Sequence, residues 1–262
     1  MSHDATPRAV LLLVGVSQAL HVPSQEAMQG HFTVAAAEWA LQKLNVVYDG
    51  HADDPFYIDR ETLPSSIDKA WEQMNESTAA GDASLYGEIL PSSVLAMLAS
   101  VGAKPGMRFY DLGCGYGKTA LLAGLLGLKA TGVELVDERW AAACDSLELA
   151  RGEDLQPGQV RIVHGDLLKF DFSNADIVFT DSLAFSEHMM EKLSRQALTL
   201  RPGAKVITAL PFDERWFNDL GSFKAPSSWA SNSTWLIQGL KPGLDAAAQP
   251  ALEVEEMDVC SS

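Results

Sequence analysis

FYDLGCGYGKT, residues 109–119, sets three glycines at alternate positions after an acid and follows them with Lys118 and Thr119. The β-rich run MRFYDL leads into it and a helically spaced segment, 117–127, leads out, so the glycines fall at a strand-to-helix junction. Backbone without side chains at such a junction admits a ligand that side chains would block. Two phosphate-binding patterns fail on spacing. A P-loop needs a glycine five residues before its Gly-Lys pair, where this chain has Leu112. The dinucleotide fingerprint, counted from Gly113 and Gly115, needs a glycine where Lys118 stands. What is present is D-x-G-x-G-x-G, with Asp111, Gly113, Gly115 and Gly117, and with Cys114 inside the loop.

Working outward, the runs MRFYDL, KATGVEL, VRIVHG, ADIVFTD and AKVITAL alternate with helical spacing at 117–127, 137–151 and 186–199. Five strands alternating with helices predict an α/β fold, a mostly parallel sheet covered on both faces, with ligands beyond the carboxyl ends of the strands. Acids stand at three of those ends in order: Asp111, then Glu134 at the close of TGVEL, then Asp166 after VRIVHG. Any one of them alone reads as a helix cap or a solvated turn. Together with the glycines they resemble the nucleotide loop of class I S-adenosylmethionine-dependent methyltransferases. The resemblance implies a Rossmann-like seven-stranded sheet and S-adenosylmethionine as cofactor. It implies Asp111 facing the cationic amino-acid portion, Glu134 with Leu135 at the ribose, and Asp166 with Leu167 at the adenine, while His164 reads as a strand-end residue.

Composition narrows the partners. The 262 residues are 47% hydrophobic, enough for one substantial core and a smaller accessory region. A formal charge of −16 disfavours non-specific binding to nucleic acid or to an anionic membrane and suits a cationic partner, besides favouring solubility. Cys114, Cys144 and Cys260 are odd in number and widely spaced, a pattern of neither a disulfide framework nor a metal site, so the expectation is no metal and a reducing cytoplasmic setting, with a nuclear one also compatible. The apolar run at 9–20 is too short to span a bilayer and is expected to be a buried helix or strand rather than a targeting segment. Residues 1–84, with helical patches at 35–44 and 65–74 around an acidic segment, read as a mainly helical accessory cap; 85–240 as the methyltransferase domain; and 241–262 as an acidic, loosely ordered tail.

Four further segments are more particular: LYGEILPSSVLAML (85–98), ADIVFTDSLAF (175–185), ITALPF (207–212) and SSWASNSTWLIQ (227–238). In this order they resemble the catalytic domain of the non-SET histone lysine methyltransferases, the disruptor-of-telomeric-silencing family, over about residues 65–240. The resemblance maps that family's Tyr-Gly-Glu element to Tyr86, Gly87 and Glu88, with Tyr86 and Glu88 near the methionine part of the cofactor. It maps Asn-Asn-Phe-Ala-Phe to Asp181, Ser182, Leu183, Ala184 and Phe185, and the aromatics of a lysine channel to Trp229 and Trp235, for both of which core packing is the alternative. Asp181, Phe185 and Trp229 are then the candidate catalytic residues. An anion at Asp181 replaces a neutral amide beside the transferring methyl, where it can pair with a cationic acceptor or act as a base. The sequence shows no lysine-rich stretch of the kind with which that family grips the nucleosome, which favours a free basic protein or a small cationic metabolite. Three readings result: a protein lysine methyltransferase, a small-molecule N- or O-methyltransferase with a capped pocket, and a non-catalytic cofactor-binding protein.

Overall fold

The computed structural model describes residues 32–53, 87–152, 159–243 and 255–261. Five helices are described: α1 (Val34–Val47), α2 (Pro91–Ser100), α3 (Lys118–Leu125), α4 (Asp137–Gly152) and α5 (Glu187–Gln196). The strands are β1 (Arg108–Leu112), β2 (Lys129–Glu134), β3 (Val160–His164), β4 (Ile177–Thr180), β5 (Lys205–Thr208), β6 (Phe217–Ala225), β7 (Ser233–Leu240) and β8 (Asp258–Ser261). They form one sheet in the order β6-β7-β5-β4-β1-β2-β3-β8. Strands β3, β2, β1, β4 and β5 run parallel, whereas β7 enters antiparallel to β5, β6 to β7 and β8 to β3.

The two-residue period of the strands divides the apolar side chains between two cores. Phe109, Ala130, Ile162, Ile177, Phe179 and Ile207 face the layer of α1 to α4. Tyr110, Leu112, Val133, Val163, Val178 and Val206 face α5, whose Met189, Met190 and Leu193 meet them. Burial on both faces explains why the parallel strands read as nearly continuous apolar runs.

Helix α1 is capped by Thr33, whose hydroxyl accepts from the Ala36 amide at 3.1 Å. Its Ala37, Ala40, Leu41, Leu44 and Val47 fall on one stripe and are all buried. That stripe packs into the same core as Phe109, so this part of the expected cap belongs to the helical layer of the sheet. The patch at 65–74 and the run at 9–20 lie outside the described residues.

Two expectations are corrected. Among the described residues the sheet carries the seven expected strands and one more, because residues 258–261, expected in a loosely ordered tail, form β8 on the free edge of β3. And Cys144 of α4 is disulfide-bonded to Cys260 of β8, leaving buried Cys114 as the free thiol. The partners lie 116 residues apart, and nothing local in either segment announces the pairing. The strap is further held by Lys169, whose Nζ lies 2.6 Å from Glu255, and by Met257, packed against Gly165 where a side chain would collide. A short antiparallel strand here also satisfies the outward N–H and C=O groups of β3.

A crosslink closing so long a loop restricts the unfolded chain by up to about 5 kcal/mol on chain-entropy grounds. The denaturation midpoint of Cys144→Ser is therefore expected to fall below that of the oxidised wild type and to coincide with that of the wild type in reductant, as urea titration with and without a thiol would show.

Candidate functional site

The loop after β1 is fastened to β2 before any ligand is considered. The amides of Gly113 and Cys114 donate to the Val133 carbonyl at 2.8 and 3.0 Å, and the Gly117 amide to the Cys114 carbonyl at 2.9 Å. Gly113 and Gly117 hold φ of 84° and 78°, a region that favours glycine. Their surroundings differ. A Cβ on Gly117 would stand 3.1 Å from that of Ala143, so α4 approaches it closely; on Gly113 it would meet nothing nearer than Phe185 Cζ at 4.0 Å. The bareness of Gly113 faces open space.

The three strand-end acids differ in their state. Asp111 is 2% exposed, and burial pushes its carboxyl well above the usual range, helped by the negative charges of Glu134, Asp181 and Glu88. Glu134 is buried and braces the loop: Oε2 accepts from the Gly115 amide at 2.8 Å and Oε1 from the Val136 amide at 2.9 Å. Each oxygen retains a lone pair for a hydroxyl. Asp166 caps the short 3₁₀ turn Leu167–Lys169 through Oδ1, which accepts from the Leu168 amide at 2.9 Å, while its Oδ2 is buried with no hydrogen-bond partner. An orphaned buried acceptor there fits a donor such as the adenine amino group. Leu167 is buried beside it, and Leu135 is half-buried. His164 is a strand-end residue, its Nε2 3.1 Å from the Leu135 carbonyl and 2.7 Å from Asp137 Oδ1, with its ring stacked on Trp140.

On the other side, residues 87–89 run along 227–229. The Glu88 amide donates to Ser228 Oγ at 3.0 Å, the Ser228 amide to the Glu88 carbonyl at 2.9 Å, and Ile89 bridges Ser227. Gly87 is bare because the Trp229 ring lies where its Cβ would be. Trp229 is 41% exposed, edge-on to Trp235. Trp235 itself is completely buried and packs on Phe179, so it belongs to the core and not to a channel wall. Tyr86 lies outside the described residues.

The segment leaving β4 closes the site. Ser182 is buried and accepts from the Leu210 amide at 2.9 Å, and the Phe185 amide returns to the Ser182 carbonyl at 2.9 Å. This turn carries the Phe185 ring over Gly113. Asp181 precedes it, half-buried, with the Leu183 amide 3.5 Å from Oδ1; desolvation pushes its carboxyl up to about 7.

One cavity gathers Glu88, Asp111, Gly113, Cys114, Gly115 and Asp181. Glu134 joins it through Gly115, Phe185 over Gly113 and Trp229 beside Gly87, whereas Leu135, Asp166 and Leu167 stand further along the strand ends. The cavity also holds Lys118, whose Nζ lies 2.9 Å from Glu88 Oε2 with side chains 7% and 15% exposed. Sequence reasoning passed over Lys118 because it spoiled a phosphate pattern; its place at the first helical position after the last loop glycine was the available signal. Three acids around one cation select for cationic ligands.

The family model described as "Histone methylation protein DOT1" matches residues 65–222. The H3 lysine-79 specific histone-lysine N-methyltransferase of Emericella nidulans is 29% identical over 183 residues, 61% of this chain and 36% of its own length. The enzyme of the same description from Aspergillus fumigatus is 28% identical over 146 residues, 50% of this chain and 28% of its own. The chain thus spans about a third of the length of these relatives. Among solved structures, TrmN from Thermus thermophilus has a TM-score of 0.47 at 21% identity, covering 58% of this chain and 49% of its own. The glycopeptide N-methyltransferase MtfA with S-adenosylmethionine has 0.46 at 16%, covering 56% and 92%. At these scores the likeness bears on neither substrate nor chemistry.

Asp166→Asn keeps the shape of the side chain but can place an amide donor where Oδ2 now stands as an open acceptor. Calorimetric titration with S-adenosylhomocysteine is expected to show affinity lower by about 10-fold to 100-fold, the cost of a mismatched buried pair.

Proposed function

The chain belongs to the DOT1 histone methylation family, and on that footing we propose that it methylates a lysine amine of a basic protein, a histone in its free form being the first candidate. The observation that carries this reading is the cavity between the glycine loop and the β4 exit, where an open glycine face and a carboxylate, Asp181, meet. S-adenosylmethionine would supply an activated methyl group on a sulfonium. Glu134 would hold its ribose, Asp166 its adenine, and Asp111 with Glu88 its cationic amino-acid end. The open space over Gly113 and the orphaned Asp166 Oδ2 fit such a group.

The remaining work falls to the acceptor side. An ammonium has no lone pair, so a lysine must lose a proton before its nitrogen can form a bond to carbon. Asp181 is placed to attract the ammonium and take that proton, and a carboxyl pushed up to about 7 is a better base than an ordinary one. Phe185 and the exposed Trp229 supply an apolar rim that strips water from the amine and holds it in line. The net charge of −16 draws a basic polypeptide and repels DNA. A histone acceptor would place the reaction in the nucleus, the finer form of the cytoplasmic or nuclear setting expected above.

The test is transfer of labelled methyl from S-adenosylmethionine to free histones, to a protein extract and to a protein-free metabolite extract. Label recovered as methyllysine supports the proposal, and label confined to metabolites overturns it. The rate is expected to rise as pH passes through about 7, where Asp181 becomes a carboxylate. In Asp181→Asn that rise should disappear and the plateau rate fall by about 100-fold, the lower range for loss of a general base; an unchanged profile would remove Asp181 from the chemistry.

A further inference from the structure

Cys144 on α4 and Cys260 on β8 are both half-buried, so a thiol in solution can reach the bond between them. The bond ties down a strap whose inner end lies on the candidate site. From Cys260, paired with Ile162, the register runs back through Val259 and Val163 to Asp258 and His164. Next to this pair Met257 sits on Gly165, its Sδ 2.5 Å from where a Cβ would stand. Glu255 then holds Lys169 twice, its amide 3.4 Å from the carbonyl and its Oε1 2.6 Å from Nζ. Gly165 precedes Asp166, and Lys169 closes the 3₁₀ turn that Asp166 caps. The strap therefore grips at both ends the turn proposed above to hold the adenine, with Leu167 and the open Oδ2 of Asp166 between the grips.

Without the bond this grip is weak. Asp258, Val259 and Ser261 are exposed, so β8 buries little apolar surface. The pair of Glu255 and Lys169 is open to water, where such pairs contribute little. Helix α4 is the firm anchor, its Ala143, Leu147 and Ala150 buried in the core that holds Ile162. In the reducing setting proposed for the reaction, a disulfide forms and opens instead of persisting. We infer that the bond between Cys144 and Cys260 is a redox site that exchanges with dithiols and sets the affinity for the cofactor through the Asp166 turn. A thiolate of the dithiol attacks one sulfur and displaces the other as a thiolate, which takes a proton. The second thiol of the reagent resolves the mixed disulfide, so the bridge gains two electrons and two protons while the dithiol becomes a disulfide. The freed strap leaves Gly165 and Lys169, and the turn loses the contacts that fix Asp166 and Leu167 for the adenine. The oxidised chain thus binds the cofactor more tightly than the reduced one, and bound cofactor protects the bond by the same factor. The inference rests on the cofactor reading and names a regulation of that site.

Calorimetric titration of S-adenosylhomocysteine into the oxidised chain, the chain reduced with dithiothreitol, and Cys144→Ser tests it without reference to turnover. The oxidised chain is expected to bind about 10-fold more tightly than the reduced one, and Cys144→Ser to match the reduced chain in either condition. The reciprocal readout is the midpoint potential of the bond in dithiol buffers. Saturating S-adenosylhomocysteine should lower it by about 30 mV, the equivalent of that factor for two electrons. In a chain that stays folded when reduced, a bond that only staples the fold would move neither quantity. Equal affinities of the two forms, with circular dichroism showing both folded, would overturn the inference. If the reduced chain unfolds, Met257→Ala in the oxidised chain decides: binding weaker by several-fold supports the coupling, and unchanged binding overturns it. Failure of the oxidised chain to bind S-adenosylhomocysteine at all would instead overturn the cofactor reading beneath it.

Discussion

The hydrogen bond from the Gly115 amide to the buried carboxylate of Glu134 joins the two strands on which the site depends. Glu134 ends β2, and the loop begins where β1 ends, so this contact and the two amides on Val133 make the loop an extension of the sheet. The position of Gly113 is consequently decided by strand register, with no ligand needed to shape it. Preorganised backbone of this kind spares binding the entropy of ordering a loop. It also lets Glu134 serve the loop with one set of lone pairs and a hydroxyl-bearing ligand with another.

Like charges collected at neighbouring strand ends oppose folding. Asp111 feels the negative charges of Glu134, Asp181 and Glu88 through a water-poor interior, and burial pushes Asp111 and Asp181 toward the protonated form. The two cores must supply the compensation, and Lys118 is the local counterweight. A site assembled against the electrostatic preference of the apo fold is poised to gain from a ligand that brings cations to it, and such perturbed groups concentrate where chemistry is done.

The glycine loop and the parallel core of the sheet were legible because their signals are local. Alternation, run length and glycine spacing are all read within a dozen residues. The acids at successive strand ends were legible for the same reason, and Asp166 shows both its readings at once, a cap through one oxygen and an open acceptor through the other. What escaped is what requires knowledge of distant neighbours. Trp229 and Trp235 lie six residues apart, yet one borders Gly87 at the surface while the other is sealed against Phe179. The structural need for Gly87 arises from a ring some 140 positions away. Lys118 was visible, but its meaning appeared only when Glu88 was found across the cavity. The strand at 258–261 was hidden because a short acidic segment has too little periodicity to declare an edge strand that a neighbour calls into place.

The bond between Cys144 and Cys260 turns the chain between them into a closed ring containing β3 to β8 and α5. A force applied to the two ends of the chain therefore passes along α4, across the sulfur bridge and out, bypassing the ring. The strands that carry Asp166 and Asp181 would feel no direct tension and could not be peeled off one at a time from the carboxyl end. Mechanically, the part of the site from Asp166 to Trp229 is a hidden length, sheltered from any pulling machinery until a thiol opens the bridge.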